Sequence, residues 1–253
     1  MTDEELVALN QKGFIPGPSE TESEFLDRVK NTGKHAVKLG GESIPSSHWQ
    51  WVCYHLKERF DFEPHSLPAF YSNRLLAPWQ GAAAWILEGK LVAIQLRKAL
   101  RKGSYLGLYQ REEILAHEAV HAARSAFSEK KNEEFFAYMT SLVRWRRILG
   151  PIIQSPWEVW PFLVAMLVGM FFQGALFFAA LWLGLGFCRL IRQHRILKKT
   201  YHALLKVSDK PFALMLRLTD TEIRQFGKLE NIQEYAEKQT SLRWRLIRLA
   251  YLK

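Results

Sequence analysis

Ile114-Leu115-Ala116-His117-Glu118-Ala119-Val120-His121 places His-Glu-x-x-His inside an apolar run. On a helix, residues four apart share one face, so His117 and His121 point the same way. Two imidazoles in that arrangement can hold one Zn²⁺, with Glu118 beside them as general base toward a water. A catalytic zinc takes three protein ligands, so the third must come from elsewhere in the chain.

Asn132-Glu133-Glu134-Phe135-Phe136-Ala137-Tyr138 supplies a candidate. Ser128-Glu129-Lys130-Lys131-Asn132 is polar and reads as a turn, with Asn132 as N-cap of a second helix running from about Asn132 to Leu149. Folding an antiparallel pair between Phe127 and Ser128 brings His121 level with Glu134, and His117 level with Tyr138. Glu134 is therefore the expected third ligand, with Glu133 as the alternative. A bare His-Glu-x-x-His also occurs on solvated helices by chance. Here Leu115, Ala116, Ala119, Val120 and Ala123 surround it, and unpaired polar groups in such a setting are costly.

The motif at His117–His121, followed by Glu134-Phe135-Phe136-Ala137, resembles the gluzincin metallopeptidases. It is most similar to integral-membrane members of the CAAX-processing and heat-shock type. The resemblance is at motif level and covers roughly residues 85–140. It implies that His117, His121 and Glu134 bind Zn²⁺ and that Glu118 is the catalytic base. Two features depart from the family pattern. The interval between His121 and Glu134 is short. Tyr138 stands where an Asp usually orients the first His; its hydroxyl is a candidate catalytic donor instead.

The 253 residues divide unevenly in charge. Residues 1–140 carry 17 basic and 18 acidic groups, whereas residues 141–253 carry 18 and 7. The basic excess thus lies around and beyond an apolar stretch, where attraction to an anionic lipid bilayer explains it; no nucleic-acid motif is present. Cys53 and Cys188 form neither a metal motif nor a disulfide framework, which suits a reducing compartment. The acidic start of the chain has no apolar core, so no signal peptide is expected there.

Taken in order, residues 1–45 form a polar N-terminal segment in which Ser19 and Glu22 could open a helix. Residues 46–150 form the expected zincin-like catalytic domain, beginning with a helix over 46–63 that contains His48 and His55. Neither of those His has metal-site spacing, and His35 and His65 carry no signal. Residues 66–83 read as an irregular loop. Two strands, 84–87 and 91–96, flank Glu88-Gly89-Lys90, and the second strand is the candidate edge for pairing with extended substrate. The fold class is mainly α with a small β-hairpin or sheet, α+β.

Residues 159–188 contain no charged side chain. Thirty apolar residues exceed the roughly 20 needed to cross a bilayer, so 151–191 are expected in the membrane. Gln173-Gly174 can turn the chain into a hairpin. Arg144, Arg146 and Arg147 before it and Arg189, Arg192 and Arg195 after it favour both ends on the cytoplasmic side of a bacterial inner membrane. Residues 192–253 form a basic helical region. There Thr219 and Glu222 make a capping box, and Leu242–Leu249 reads as either an interfacial helix or one packed on its neighbours. The leading functional expectation is a membrane-anchored zinc metallopeptidase acting on polypeptide at or near the membrane. The alternative is a catalytically inactive scaffold or partner-binding protein of the same fold. Oligomeric state is not legible.

Overall fold

The computed structural model describes residues 1–33, 41–65, 67–78, 80–87, 90–107, 109–129, 131–154, 156–229 and 231–253. His35, Lys130 and the Glu88-Gly89 turn lie outside these residues. The first two helices, α1 (Asp3–Gln11) and α2 (Glu22–Asn31), each open with a capping box, Thr2 with Glu5 and Thr21 with Glu24. The second box forms two residues later than the expected Ser19–Glu22 pair. Glu22 is engaged elsewhere, accepting the N-terminal ammonium at 2.5 Å.

Five short segments follow: β1 (Glu42–Ser43), α3 (Gln50–Phe60), β2 (Ala69–Tyr71), β3 (Ala82–Leu87) and β4 (Lys90–Leu96). The strands form one mixed sheet in the order β1-β2-β4-β3, in which β2 and β4 are parallel and the other pairs antiparallel. This corrects the assignment of the substrate edge. The 91–96 strand is internal, because three residues of the region read as irregular loop pair with its far side, Ala69 opposite Ile94. Ala93, Ile94, Gln95 and Leu96 are accordingly buried, whereas β3 is half-buried and, among the described residues, has strand pairing on one side only. A two-strand ladder, β5 (Ser104–Tyr105) and β6 (Tyr109–Gln110), leads into the motif helix.

That helix, α4 (Arg111–Ala123), packs against α3 and the β3–β4 pair. It buries Leu115, Ala116, Ala119, Val120 and Ala123 completely. The expected second helix is two helices, α5 (Glu133–Tyr138) and α6 (Arg144–Leu149). Hydroxyls and a carboxylate compete for the backbone between them. Thr140 donates to the Ala137 carbonyl at 2.6 Å, the Ser141 hydroxyl takes the Val143 N–H at 3.1 Å, and Glu113 takes the Leu142 N–H at 2.8 Å. Asn132 also does not cap α5 with its side chain. Its amide donates instead to Asp220 at 2.7 Å, and the same carboxylate accepts the backbone N–H groups of Lys131 and Asn132.

Next come α7 (Val159–Gly169) and α8 (Gly174–Leu204), packed as an antiparallel hairpin. Gly169 sits against Leu176 near the turn, and the Trp182 indole donates to the Glu158 carbonyl at 3.1 Å near the base. The 31-residue α8 is long and apolar enough to cross a membrane, and little of its apolar part is buried. The chain closes with α9 (Pro211–Leu216), α10 (Asp220–Phe226), α11 (Ile232–Glu237) and α12 (Leu242–Ala250). Thr219 and Glu222 form the expected capping box of α10.

The last helix takes the packed rather than the interfacial form. Arg243 and Trp244 are buried and both bind Glu222, the guanidinium through two bonds of 2.8 and 2.9 Å and the indole at 2.9 Å. Arg217, also buried, donates to Asn10 of α1 at 2.9 Å and to the Phe60 carbonyl at 2.8 Å. Part of the basic excess in this half is therefore structural rather than presented to lipid.

Candidate metal centre

Two helices build the site, and the sheet edge closes it from a third side. His117 and His121 project from one face of α4, one helical turn apart. Glu134 projects from the first turn of α5. The two Nε2 atoms lie 3.3 Å apart, and Glu134 oxygens lie 3.6 Å from His117 Nε2 and 3.5 Å from His121 Nε2. An ion with donors at about 2.0–2.2 Å in a tetrahedral array separates its ligands by roughly 3.3–3.6 Å. The three residues thus fit a small divalent cation in spacing and in donor chemistry. Among the described residues they are the one group of His, Cys, Asp and Glu drawn together in this way.

Glu133, adjacent in sequence, takes a different part. Its carboxylate meets His121 Nδ1 at 2.6 Å, on the ring nitrogen that faces away from the cluster. It fixes the ring and leaves Nε2 aimed at Glu134 and His117, the arrangement by which carboxylates orient metal-binding imidazoles. Between the two glutamates, Glu134 is the one grouped with both Nε2 atoms, while Glu133 meets His121 on its Nδ1 side.

The electrostatics follow from burying four ionisable groups together. Burial drives His117 well below the ordinary imidazole range, and His121 beside it adds to the effect. Burial also opposes charge on His121, but the Glu133 hydrogen bond and the carboxylates of Glu134, Glu133 and Glu118 outweigh it and raise that ring to about 9. Glu118 is pushed up to about 7, chiefly by burial, while its hydrogen bond with the Ala84 backbone favours the charged form. Burial raises Glu134 as well.

Tyr138 packs edge-on against the His117 ring, centroids 4.8 Å apart. Burial pushes its hydroxyl to about 12, so it is a neutral donor at physiological pH. The backbone at Gly150 closes over its ring: a Cβ there would lie 2.2 Å from Tyr138. The site lies in an open cleft of about 480 Å³. Gln80, Gly81 and Ala82 at the start of β3 form one wall, and Arg146 and Trp145 form another. Arg146 is held by Glu113 at 3.0 Å.

Three further His residues from the sequence reading go elsewhere. His48 contacts the Tyr71 hydroxyl at 3.0 Å, His55 binds the Thr140 carbonyl at 2.9 Å, and His65 meets Cys53 Sγ at 3.4 Å. Sequence reasoning did not find the Ala84 contact to Glu118 or the Glu113 tether. Both depend on pairings distant in sequence and carry no local motif.

Comparison of the chain with protein-family profiles, with curated proteins and with solved structures gave no match in any of the three.

Proposed function

We propose that this chain is a metal-dependent hydrolase, and more particularly a membrane-anchored zinc metallopeptidase of the gluzincin type with a zincin-like arrangement of α4, α5 and β3. The observation that carries the reading is the convergence of one ligand atom each from His117, His121 and Glu134 within 4.8 Å of one another, beside a Glu118 carboxyl that opens onto the same cleft. Zinc bound there would polarise a scissile carbonyl and acidify a water.

The chain's own residues do the rest. Glu118 takes a proton from the attacking water and returns it to the leaving amine, a role suited to a carboxyl whose affinity for protons is raised by burial. The side of β3 that pairs with no other strand among the described residues offers backbone groups to an extended peptide, apart from the Ala84 N–H that Glu118 holds, and this fixes the register of the bond to be cut. Tyr138, neutral and close to His117, donates its hydroxyl to developing negative charge. Glu133 holds His121 in its binding tautomer. The basic flanks of the apolar hairpin support a catalytic half at the cytoplasmic face of a bacterial inner membrane.

Metal content and turnover test the reading together. Detergent-purified wild type should carry about one zinc per chain, lost in Glu134→Ala, and should cleave an unfolded protein substrate. Glu118→Gln should keep the metal and lose the cleavage. Wild type that takes up no zinc after reconstitution would refute the proposal.

A further inference from the structure

The α7–α8 hairpin is apolar on its outside but differs in three respects from a hairpin that crosses a bilayer. Its length is the first. α7 has 11 residues, about 16 Å, because the chain before it is taken up by tight turns at Gly150–Ile152 and Pro156–Glu158. In α8 the charge-free part ends at Cys188. Beyond it Leu190, Leu197 and Leu204 are buried, and the helix packs on α9 and α10. The lipid-available part of α8 is therefore Gly174 to Cys188, about 22 Å, against a hydrocarbon core of about 30 Å.

The tip is the second. A crossing hairpin must end in groups that tolerate the far headgroups and water. Here the turn is Met170-Phe171-Phe172-Gln173, with the three apolar side chains 76, 80 and 72 % exposed. Part of the turn's backbone is paired within the hairpin: Phe171 and Phe172 N–H groups bond the Val168 carbonyl at 3.0 and 2.9 Å, and Ala175 N–H bonds that of Phe172 at 2.9 Å. Each backbone group paired in this way lowers the cost of placing the turn in hydrocarbon.

The base is the third. Trp145, Trp157, Trp160 and Trp182 are exposed there, the position indole prefers at a headgroup boundary. Arg189 spans Glu158 with two bonds of 2.7 Å, and Arg192 and Arg195 stand exposed on the next turns of α8. Indole and cationic groups occupy one end of the hairpin only.

We propose that the hairpin enters an anionic bilayer from one face and stops inside it, a one-sided anchor that holds the mouth of the metal cleft at headgroup level. The second half of the statement rests on the cleft being the functional site. Ile153 and Val159, at the hairpin base, line that cleft and also an apolar groove of about 380 Å³ between the hairpin legs. A substrate segment lying at the membrane surface, apolar on one side, would meet the groove and the cleft together. The occupant of the outer face is the lipid bilayer, because aromatic and cationic groups are layered as a bilayer is.

The test uses the full chain with Cys188→Ser, carrying an environment-sensitive NBD probe at Gln173→Cys or at Gln154→Cys on the cleft rim. Each is reconstituted into vesicles of phosphatidylcholine and phosphatidylglycerol. The tip probe should resist dithionite added outside or trapped inside, and nitroxides deep on the acyl chains should quench it most. The rim probe should be quenched most by headgroup nitroxides. Reduction of the tip from the face opposite the rim would show crossing; reduction from the same face would show that the tip lies in water outside the bilayer. Either result overturns the anchor, and a rim probe insensitive to headgroup nitroxide overturns the placement of the cleft. Phe171→Asp with Phe172→Asp alters exposed side chains only, so the fold should survive, and vesicle flotation should fall at least tenfold; unchanged flotation also overturns the proposal. Repeating the depth measurement on Glu134→Ala separates the anchor from the metal reading, since depth should not change.

Discussion

The metal cleft and the hairpin invert the usual arrangement of a folded chain in opposite directions. The cleft gathers His117, Glu118, His121, Glu133 and Glu134 into a largely buried corner, where charge is expensive. The hairpin turns Met170, Phe171, Phe172, Phe177 and Phe178 outward, where apolar area is unfavourable in water. Each is a local cost that the partner proposed above would offset, a cation in one case and hydrocarbon in the other. A third region serves as a control. Around Glu222, buried charges pair within the chain, both carboxylate oxygens taking bonds from Arg243 and one also from the Trp244 indole. Buried charge alone is therefore no sign of a site. What marks the cleft is that its donors converge on a point reachable from solvent.

The largest effect should come from the base. Glu118→Gln is expected to lower peptide hydrolysis by about 10²–10⁴-fold with zinc content unchanged, as read by turnover beside metal analysis. A scaffold protein would show no turnover to lose. Next, Glu222→Ala leaves Arg243 buried without its partner and should cost about 3–5 kcal/mol in chemical denaturation. That loss should be the same with and without zinc. By contrast, zinc should raise the melting temperature of the wild type through ligand linkage and leave Glu134→Ala unmoved; a zinc-dependent Glu222→Ala loss would erase the distinction between the two buried regions.

Glu133→Gln keeps all three ligands but weakens the grip on His121 Nδ1. Zinc affinity should fall about 10–100-fold in competition with a chelator, a smaller loss than in Glu134→Ala. Equal losses would mean that both carboxylates are ligands. Gly150→Ala tests the wall behind Tyr138. A methyl there displaces the ring, so stability should fall by about 1–3 kcal/mol, and turnover should fall more than metal affinity does. The smallest effect concerns the ordinary core. Cys53 is buried and its thiol is raised to about 11 by burial, with the Glu63 carboxylate adding to the shift. In native protein at pH 8 it should resist maleimide for hours and react once denatured, whereas a core as open as the cleft would let it react.

Residue spacing carried a good deal of this arrangement. The four-residue interval of His117 and His121 is a property of any α-helix, so their shared face was readable without a fold. The register that sets Glu134 against His121 follows from the polar turn between them, and Thr219 with Glu222 forms the box its sequence announces. The break at Gln173-Gly174 likewise follows from a polar residue and a glycine within an apolar run. The helix expected over 132–149 failed because Glu113, more than twenty residues upstream, captures the Leu142 N–H. The strand edge was misplaced because β2 has only three residues and no alternation long enough to detect.

The sequence by itself determined the donor types, their helical face and the apolar run, because these depend on periodicity and composition within a few turns of chain. Only the tertiary structure decided which of two adjacent glutamates joins the two Nε2 atoms and which meets His121 Nδ1. It also made β3 the open edge, and it assigned Arg217 and Arg243 to the core rather than to lipid. Those outcomes depend on where a side chain's partner lies in space. Hydrogen-bond and ion-pair energies fall off within a few ångströms, while the partners, Asp220 for Asn132 or Asn10 for Arg217, lie 88 and 207 residues away along the chain.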